Sequence, residues 1–145
     1  MRLSMKADYG LRALVDLAAR YPGPAVTCQS IATRQGVPAA FLDQVLLCLR
    51  RHQLVSSTRG PHGGHMLTRP PSTITLNDAL TALEGTQAPL GCFRETAACE
   101  VGGRCRVLAA LRAAESAARS VLAETTLADL VPASAQPHLV AGPAA

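Results

Sequence analysis

Two short helical patterns meet at Gly36 and directly precede a strand-like hairpin, an order of elements that few folds accommodate. Thr27 is typical of a helix N-cap, and a short helix through residues 30–32 is expected to end at Gly36. A further helix begins near Pro38, a favoured residue of a first helical turn. Its apolar stripe comprises Phe41, Leu42, Val45, Leu46 and Leu49. Two short helices joined by a glycine-containing turn form the helix-turn-helix pattern.

The segment that follows is typical of a wing. Residues 54–57 and 65–68 are strand-like, and residues 58–64 between them contain Gly60, Gly63 and Gly64. This tip lacks a Gly-Lys-Ser/Thr sequence and a following helix, which argues against a phosphate-binding loop. A plain tight hairpin remains the alternative from this loop alone, but the preceding helices favour a wing that contacts DNA.

The remaining segments predict further helices. The first covers residues 4–20, a compact helix covers residues 75–85, and a long alanine-rich helix runs from 107 to about 122. Residues 126–131 add a last turn. The long helix carries Leu108, Leu111, Ala118 and Leu122 along one side, and its many alanines permit close approach of a partner helix.

Composition supports a mainly helical class. The chain is 48% apolar with only 3% aromatic residues and no tryptophan, so the core must consist of Ala, Leu and Val, which favours packed helices. The expected fold is mainly α with a small β-wing. A winged helix-turn-helix domain covers residues 1–85, a cysteine segment 86–105 and a long C-terminal helix 106–131. The Pro/Ala-rich tail at 132–145 is expected to be disordered.

Charge is unevenly distributed along the chain. Residues 1–75 contain nine Lys and Arg against three Asp and Glu, a net of +6, whereas the remainder contains five against seven, a net of −2. The first half is therefore expected to bind a polyanion. No segment approaches the ~20 apolar residues of a membrane span, and the start has no signal-peptide pattern. We expect a cytoplasmic protein without membrane contact, whose thiols stay reduced.

The second helix of the helix-turn-helix is expected to read DNA with the face opposite its apolar stripe. Gln44 lies on that face and suits base edges in the major groove. Asp43 beside it repels phosphate, but it can accept from a cytosine amine or tune selectivity. Arg50 and Arg51 also fit an ordinary helix C-terminus, and Arg59 in the wing suits a phosphate or minor-groove contact. The expected DNA-contacting residues are Ala39, Ala40, Gln44, Arg50, Arg51, Arg59, Pro61 and Gly63.

Cys92, Cys99 and Cys105 share one irregular, glycine-bearing segment. Thiolates in such a segment suit soft metals, including iron–sulfur clusters, zinc and copper(I). The intervals of six and five residues differ from the close pairs of most zinc sites. Spacing alone leaves a cluster, zinc and bare reactive thiols open, and a cluster would need a fourth ligand from elsewhere. Cys28 and Cys48 lie within helices, where core packing is expected.

Together these features resemble the Rrf2 family of bacterial transcriptional regulators, which includes iron–sulfur IscR-like and nitric-oxide-sensitive NsrR-like members. The resemblance extends from residue 1 to about 131. It is carried by MRLS at 1–4, DYGLRAL at 8–14, FLDQV at 41–45, LVSSTRGPHGG at 54–64, the three cysteines and TTLADLV at 125–131. It implies a homodimeric winged-helix protein in which the long C-terminal helix dimerises. The cysteine segment would then bind a cluster near the DNA-binding domain of the partner subunit.

The fourth ligand depends on the subgroup. IscR-like members use a histidine shortly after the third cysteine, but Arg106, Val107 and Leu108 follow Cys105 here. NsrR-like members can use an aspartate in the first helix of the other subunit, and Asp8 stands in a matching context. A carboxylate in a first helical turn is also favoured without any metal. The resemblance implies a cluster, [4Fe–4S] in preference to [2Fe–2S], held by Cys92, Cys99, Cys105 and Asp8.

The sequence therefore predicts a DNA-binding transcriptional regulator, expected to be a repressor, with no enzymatic activity. It would act as a homodimer on a double-stranded DNA operator, under control of a cluster that senses nitric oxide, iron or cluster status, or redox state. One alternative is a regulator of the same fold that senses through bare thiols or zinc. The other is a small redox or metal-carrier protein that does not bind DNA.

Overall fold

The computed structural model describes residues 3–85 and 105–132 of the 145-residue chain. Within them it is helical apart from one two-stranded antiparallel sheet, which confirms the mainly α class with a small β-wing. The elements are α1 (Met5–Ala18), α2 (Cys28–Gln35), α3 (Ala39–Arg51), β1 (Val55–Thr58), β2 (Gly64–Leu67), a 3-10 turn (Pro71–Thr73), α4 (Leu76–Glu84), α5 (Arg106–Glu124) and α6 (Leu127–Leu130).

Local signals fix the helix ends. The Thr27 hydroxyl accepts a hydrogen bond from the Ser30 N–H at 3.2 Å, and Gly36 ends α2 in the left-handed conformation with φ 63°. Both residues have the roles that the sequence predicts. Pro38 is the N-cap of α3 rather than a residue of its first turn, so α3 begins at Ala39. Thr75 opens α4 with a reciprocal capping box.

The core lies where α1, α3 and α4 pack together, and Leu14, Leu46 and Leu49 are buried there. The expected apolar stripe of α3 is confirmed except at Phe41, which is 41% exposed. Phe41 lies in the first turn of α3, at the edge of the stripe, and its ring meets the edge of Tyr9 with centroids 5.5 Å apart. Phe41 is therefore a surface aromatic and not a core residue.

The chain after α5 returns to the winged domain. Leu127 in α6 is fully buried, and its N–H donates to the Ile74 carbonyl at 2.8 Å. The Leu76 N–H donates to the Thr125 carbonyl, also at 2.8 Å. The C-terminal end of α5 is therefore fixed against the core of the DNA-binding unit.

The hairpin is a wing anchored to the chain before α2. β1 and β2 are antiparallel, with Val55 opposite Leu67 and Thr58 opposite Gly64. Val26 and His65 exchange backbone hydrogen bonds of 2.7 and 2.8 Å. A Cβ on Gly64 would lie 2.5 Å from the Val26 carbonyl, so only glycine permits this close approach.

Candidate DNA-binding surface and cysteine segment

The outer face of α3 presents the residues predicted to read DNA. Ala40, Gln44 and Asp43 are exposed on the side opposite the buried leucines, whereas Ala39 is half-buried against the core. Arg51 is exposed at the C-terminal end of the helix. The helix therefore offers a polar and small-residue surface, supported from behind by packed leucines, of the kind that fits a major groove.

The wing and the end of α3 form one continuous surface. Arg50 donates from its guanidinium to the Ser57 hydroxyl at 3.0 Å, which ties the helix end to β1. Arg59 and Pro61 are exposed at the tip, and the Gly63 N–H closes the tip by donating to the Gly60 carbonyl at 2.9 Å. All eight predicted DNA-contacting residues thus lie on α3 or on the wing, although Arg50 already has a partner within the chain.

Asp8 lies in the first turn of α1 and pairs with Arg12. Arg12 Nε and Nη2 lie 3.1 and 3.0 Å from the two carboxylate oxygens, and both side chains are about half exposed. Arg12 Nη1 also reaches the Gln35 carbonyl at 3.5 Å, at the end of α2. The predicted fourth ligand is thus linked through one arginine to the first helix of the helix-turn-helix.

Cys105 is the N-cap of α5, and its sulfur accepts the Leu108 N–H at 3.3 Å. An N–H donor at the positive end of a helix stabilises the negative charge of a thiolate ligand. Cys92 and Cys99 lie outside the described residues. Within residues 3–85 and 105–132, no three His, Cys, Asp or Glu side chains are close enough to hold a metal ion.

Cys28 and Cys48 are half-buried and pack against backbone carbonyls, as expected for helix cysteines. Their thiols donate to Ala39 at 3.6 Å and to Ala82 at 3.3 Å, respectively. Burial, and then a hydrogen bond with Asp43, raises the pKa of Cys28 to about 12. The Cys28 thiol therefore stays protonated at neutral pH, and such a thiol is a poor nucleophile.

His65 is a residue near the DNA-facing surface that the sequence did not single out. Its Nδ1 is buried without a hydrogen-bond partner in the described part of the chain. The pKa of His65 is lowered below its ordinary value, chiefly by burial. Asp43 opposes this shift, and Arg50 adds to it. The pairing of β2 with Val26 places His65 there, and no local sequence signal reveals that pairing.

The face of α5 differs from the expected one. Leu108, Ala118 and Leu122 are partly buried, and α5 packs against α4 of the same chain. Leu111 is 39% exposed and falls on a neighbouring stripe with Val107 and Val121, which are 69% and 62% exposed. The predicted side therefore divides into a face turned toward its own chain and an apolar stripe that the described residues leave exposed. None of the described helices is long and apolar enough to cross a lipid bilayer.

A helix-turn-helix followed by an anchored wing, with arginines on its outer surface, defines a winged-helix DNA-binding regulator. The chain belongs to the Rrf2 family: the family model, described as an iron-dependent transcriptional regulator, matches residues 3–133. An HTH-type transcriptional regulator of Mycobacterium tuberculosis is 37% identical over 142 residues, which span 96% of this chain and 86% of the relative.

Two solved structures of this fold are similar to the chain. CymR, the global cysteine regulator of B. subtilis, has a TM-score of 0.74 and 32% identity, over 90% of this chain and 95% of its own. IscR of T. potens has a TM-score of 0.70 and 30% identity, over 90% of this chain and 85% of its own. These relatives are transcriptional regulators and not enzymes, which confirms the expected class.

Proposed function

We propose that this chain is a homodimeric, cytoplasmic repressor whose operator binding is controlled by an iron–sulfur cluster held by Cys92, Cys99 and Cys105, with Asp8 supplied by the other subunit as the fourth ligand. The observation that carries the proposal is the link from Asp8 through Arg12 to the Gln35 carbonyl. Because Gln35 ends the first helix of the helix-turn-helix, a change at Asp8 acts directly on the element that supports α3.

The two described donors fit a cluster. Cys105 has a sulfur that already accepts an N–H at a helix start, and Asp8 has a half-exposed carboxylate of the oxygen type that suits a weaker ligand. When bound, an iron–sulfur cluster supplies a redox-active centre whose potential depends on charge and hydrogen bonds around it. Asp8 cannot keep both oxygens on Arg12 while one of them serves as a ligand. The Arg12 contact with α2 is therefore coupled to the state of Asp8.

DNA recognition is assigned to α3 and the wing. Gln44 has the amide that pairs with adenine in the major groove, and Ala40 leaves room for the helix to approach base edges. Arg59 at the tip suits a phosphate or minor-groove contact. The inner face of α3 is formed by four aliphatic residues that are at most 1% exposed: Leu42, Val45, Leu46 and Leu49. The outer face that reads DNA is therefore supported by a rigid core.

A second copy of the chain is the proposed partner of α5. Val107, Leu111 and Val121 form an apolar stripe that is exposed among the described residues, and neighbouring alanines permit two helices to approach closely. A two-fold pair of winged domains would present two α3 helices to adjacent turns of DNA. The buried Leu127 would keep each reading unit in a fixed relation to the dimer contact.

The proposal is tested by DNA binding before and after removal of iron. Protein purified without oxygen is mixed with duplexes selected from a random library, and affinity is measured before and after treatment with an iron chelator. We expect a change in affinity of at least tenfold with no change in dimer content. Equal affinity in both states would contradict control by a cluster.

A second candidate is a regulator that senses through thiols without a metal. It is favoured by the similarity to CymR, which is described as a global cysteine regulator. In this case the protein would carry no iron, and oxidation or alkylation of Cys92, Cys99 or Cys105 would alter DNA affinity. Iron content separates the two candidates in one measurement.

A further inference from the structure

Arg50, at the C-terminal end of α3, reaches across to the face of the wing that is turned toward the helix. Its Nη1 donates a hydrogen bond to the Ser57 Oγ at 3.0 Å. Ser57 lies directly opposite His65 in the two-stranded sheet. Val55 and Leu67 form the neighbouring pair on the same face, since alternate residues of a strand share a face, and both are buried. The contact therefore joins α3 to the inner face of the wing.

The positive charge of Arg50 has no carboxylate partner in the described part of the chain. None of the ion pairs formed by residues 3–85 and 105–132 includes Arg50. Burial lowers the pKa of His65 below its ordinary value of 6.5; Arg50 adds to this shift, and Asp43 opposes it. The His65 ring is therefore neutral at pH 7. Arg50 thus keeps its full charge beside a neutral neighbour.

The contact with Ser57 uses only part of what the Arg50 guanidinium offers. A guanidinium carries several N–H donors in a fixed plane and no acceptor, so the Ser57 hydroxyl takes one donor and leaves the others available. Both side chains are exposed, so water competes for the contact and its effect on the stability of the fold is small. Its main effect is to hold a long, charged side chain in one direction.

A backbone phosphate is the group that fits these free donors. If α3 lies in a major groove and the wing lies over the neighbouring minor groove, one sugar–phosphate strand passes between them. Arg50 stands where α3 meets the wing, so its guanidinium faces that strand and not the base edges. Guanidinium groups bind phosphates through two parallel hydrogen bonds, and such contacts fix the register of a protein on DNA.

We propose that Ser57 is a positioning residue for DNA binding: its hydroxyl oxygen holds one N–H of Arg50 and orients the remaining donors toward a phosphate of the strand between α3 and the wing. This inference rests on the proposed DNA-binding role of α3 and the wing. It gives Arg50 a phosphate as its ligand and adds Ser57, which acts through Arg50. It does not depend on what the cysteine segment binds.

The test uses the full chain and a duplex that wild type selects from a random library. Each phosphate of the duplex is replaced in turn by a neutral methylphosphonate, and affinity is measured for wild type, Arg50→Ala and Ser57→Ala. One phosphate in each half-site should matter to wild type and not to Arg50→Ala. Ser57→Ala should show a smaller loss at that phosphate. It should also bind the unmodified duplex about three- to tenfold more weakly, the range for ordering one long side chain.

The salt dependence separates the two residues. Arg50→Ala should reduce the slope of log affinity against log salt by about one for each subunit, because a phosphate contact is lost. Ser57→Ala should keep the slope, because the charge of Arg50 remains. The double variant should bind as Arg50→Ala alone, since both changes act through one contact. Ser57→Thr keeps a hydroxyl and should bind like wild type.

Ser56→Ala is the matched control. It removes a hydroxyl from the adjacent residue of β1, which pairs with Met66 on the other face of the sheet, and it should bind like wild type. Urea unfolding of Ser57→Ala should match that of wild type, because the lost contact is exposed.

Two outcomes would overturn the inference. Ser57→Ala that binds as tightly as wild type, or more tightly, would show that the hydroxyl does not prepare Arg50 for DNA. Arg50→Ala with the salt slope and the methylphosphonate pattern of wild type would show that Arg50 contacts no phosphate and only attaches the wing to α3. A wild type that selects no duplex would overturn the DNA-binding function itself, and this inference with it, which is a distinct result.

Discussion

Arg34 donates two hydrogen bonds to the buried carboxylate of Asp16, from Nε at 2.9 Å and from Nη2 at 2.6 Å. Gln35 adds a third at 3.2 Å, and Arg20 lies 3.5 Å away. Burial alone would raise the pKa of Asp16, but the hydrogen bonds from Arg34 and Gln35 outweigh it and lower the pKa below its ordinary value. These contacts around Asp16 fix α2 against α1.

Replacing Arg34 should destabilise the winged domain. Arg34→Met leaves the Asp16 carboxylate, whose side chain is 4% exposed, without its main partner. We expect a loss of about 2 kcal/mol in the free energy of unfolding, the range for a hydrogen-bonded charge that loses its donor. Arg119→Met is the control, because Arg119 pairs with Glu115 on the outside of α5 and should cost below about 0.5 kcal/mol. Urea unfolding measures the free energy of unfolding of both variants. Equal losses would contradict a stabilising role for the contact between Arg34 and Asp16.

The same carboxylate gives a pH dependence. Because the pKa of Asp16 is lower in the folded state, its contribution is fully present above the ordinary value of 3.8 and is lost as pH falls through the folded pKa. Wild type should therefore exceed Asp16→Asn in stability at pH 6, and the gap should narrow below pH 3.8. Thermal unfolding from pH 6 to pH 2 measures it. A gap that widens in acid would contradict the lowered pKa.

Arg59 and Gln44 should affect DNA binding in different ways. Arg59→Ala should weaken binding to all sequences and reduce the slope of log affinity against log salt by about one, because one phosphate contact is lost. Gln44→Ala should instead relax discrimination at one base pair with an unchanged slope. Titrations at several salt concentrations distinguish them, with Arg119→Ala as a control away from the surface. Wild-type behaviour in both variants would place the DNA surface elsewhere.

The exposed stripe of α5 should determine the oligomeric state. Leu111→Glu would bury an unpaired charge in the proposed two-fold contact, at a cost of about 3–5 kcal/mol, and should produce monomers. Ser116→Glu adds the same charge on the opposite, exposed side of α5 and should remain dimeric. Light scattering reports the mass of each. A monomeric wild type, or a dimeric Leu111→Glu, would contradict the contact.

The helix ends and the turn of the wing could be predicted from the sequence because they depend on interactions between residues close together in the chain. Thr27, Gly36 and Thr75 act within three or four residues of their own positions, so the ends of α2 and the start of α4 follow from the sequence. The glycines at the wing tip likewise locate the turn between the strands, and each strand lies within one residue of its expected position.

Contacts between residues far apart in the chain could not be predicted from the sequence. The pairing of Val26 with His65 and the hydrogen bonds from Arg34 to Asp16 join residues far apart in the chain, without any periodic signal. Phe41 fits the apolar period of α3, yet it stays 41% exposed with its ring against the edge of Tyr9. The face of α5 depends on α4, because both the covered and the uncovered stripes of α5 are apolar and periodicity does not distinguish them.

Whether the cysteine segment holds an iron–sulfur cluster is decided by an absorption spectrum of anaerobically purified protein, together with iron, sulfide and zinc analysis. We expect visible absorption with stoichiometric iron and sulfide. The absorption should be lost when Cys92, Cys99 or Cys105 is replaced by Ala, retained in Cys28→Ala and Cys48→Ala, and more labile in Asp8→Ala. A colourless wild-type protein that carries stoichiometric zinc after anaerobic reconstitution would show that the segment does not hold an iron–sulfur cluster.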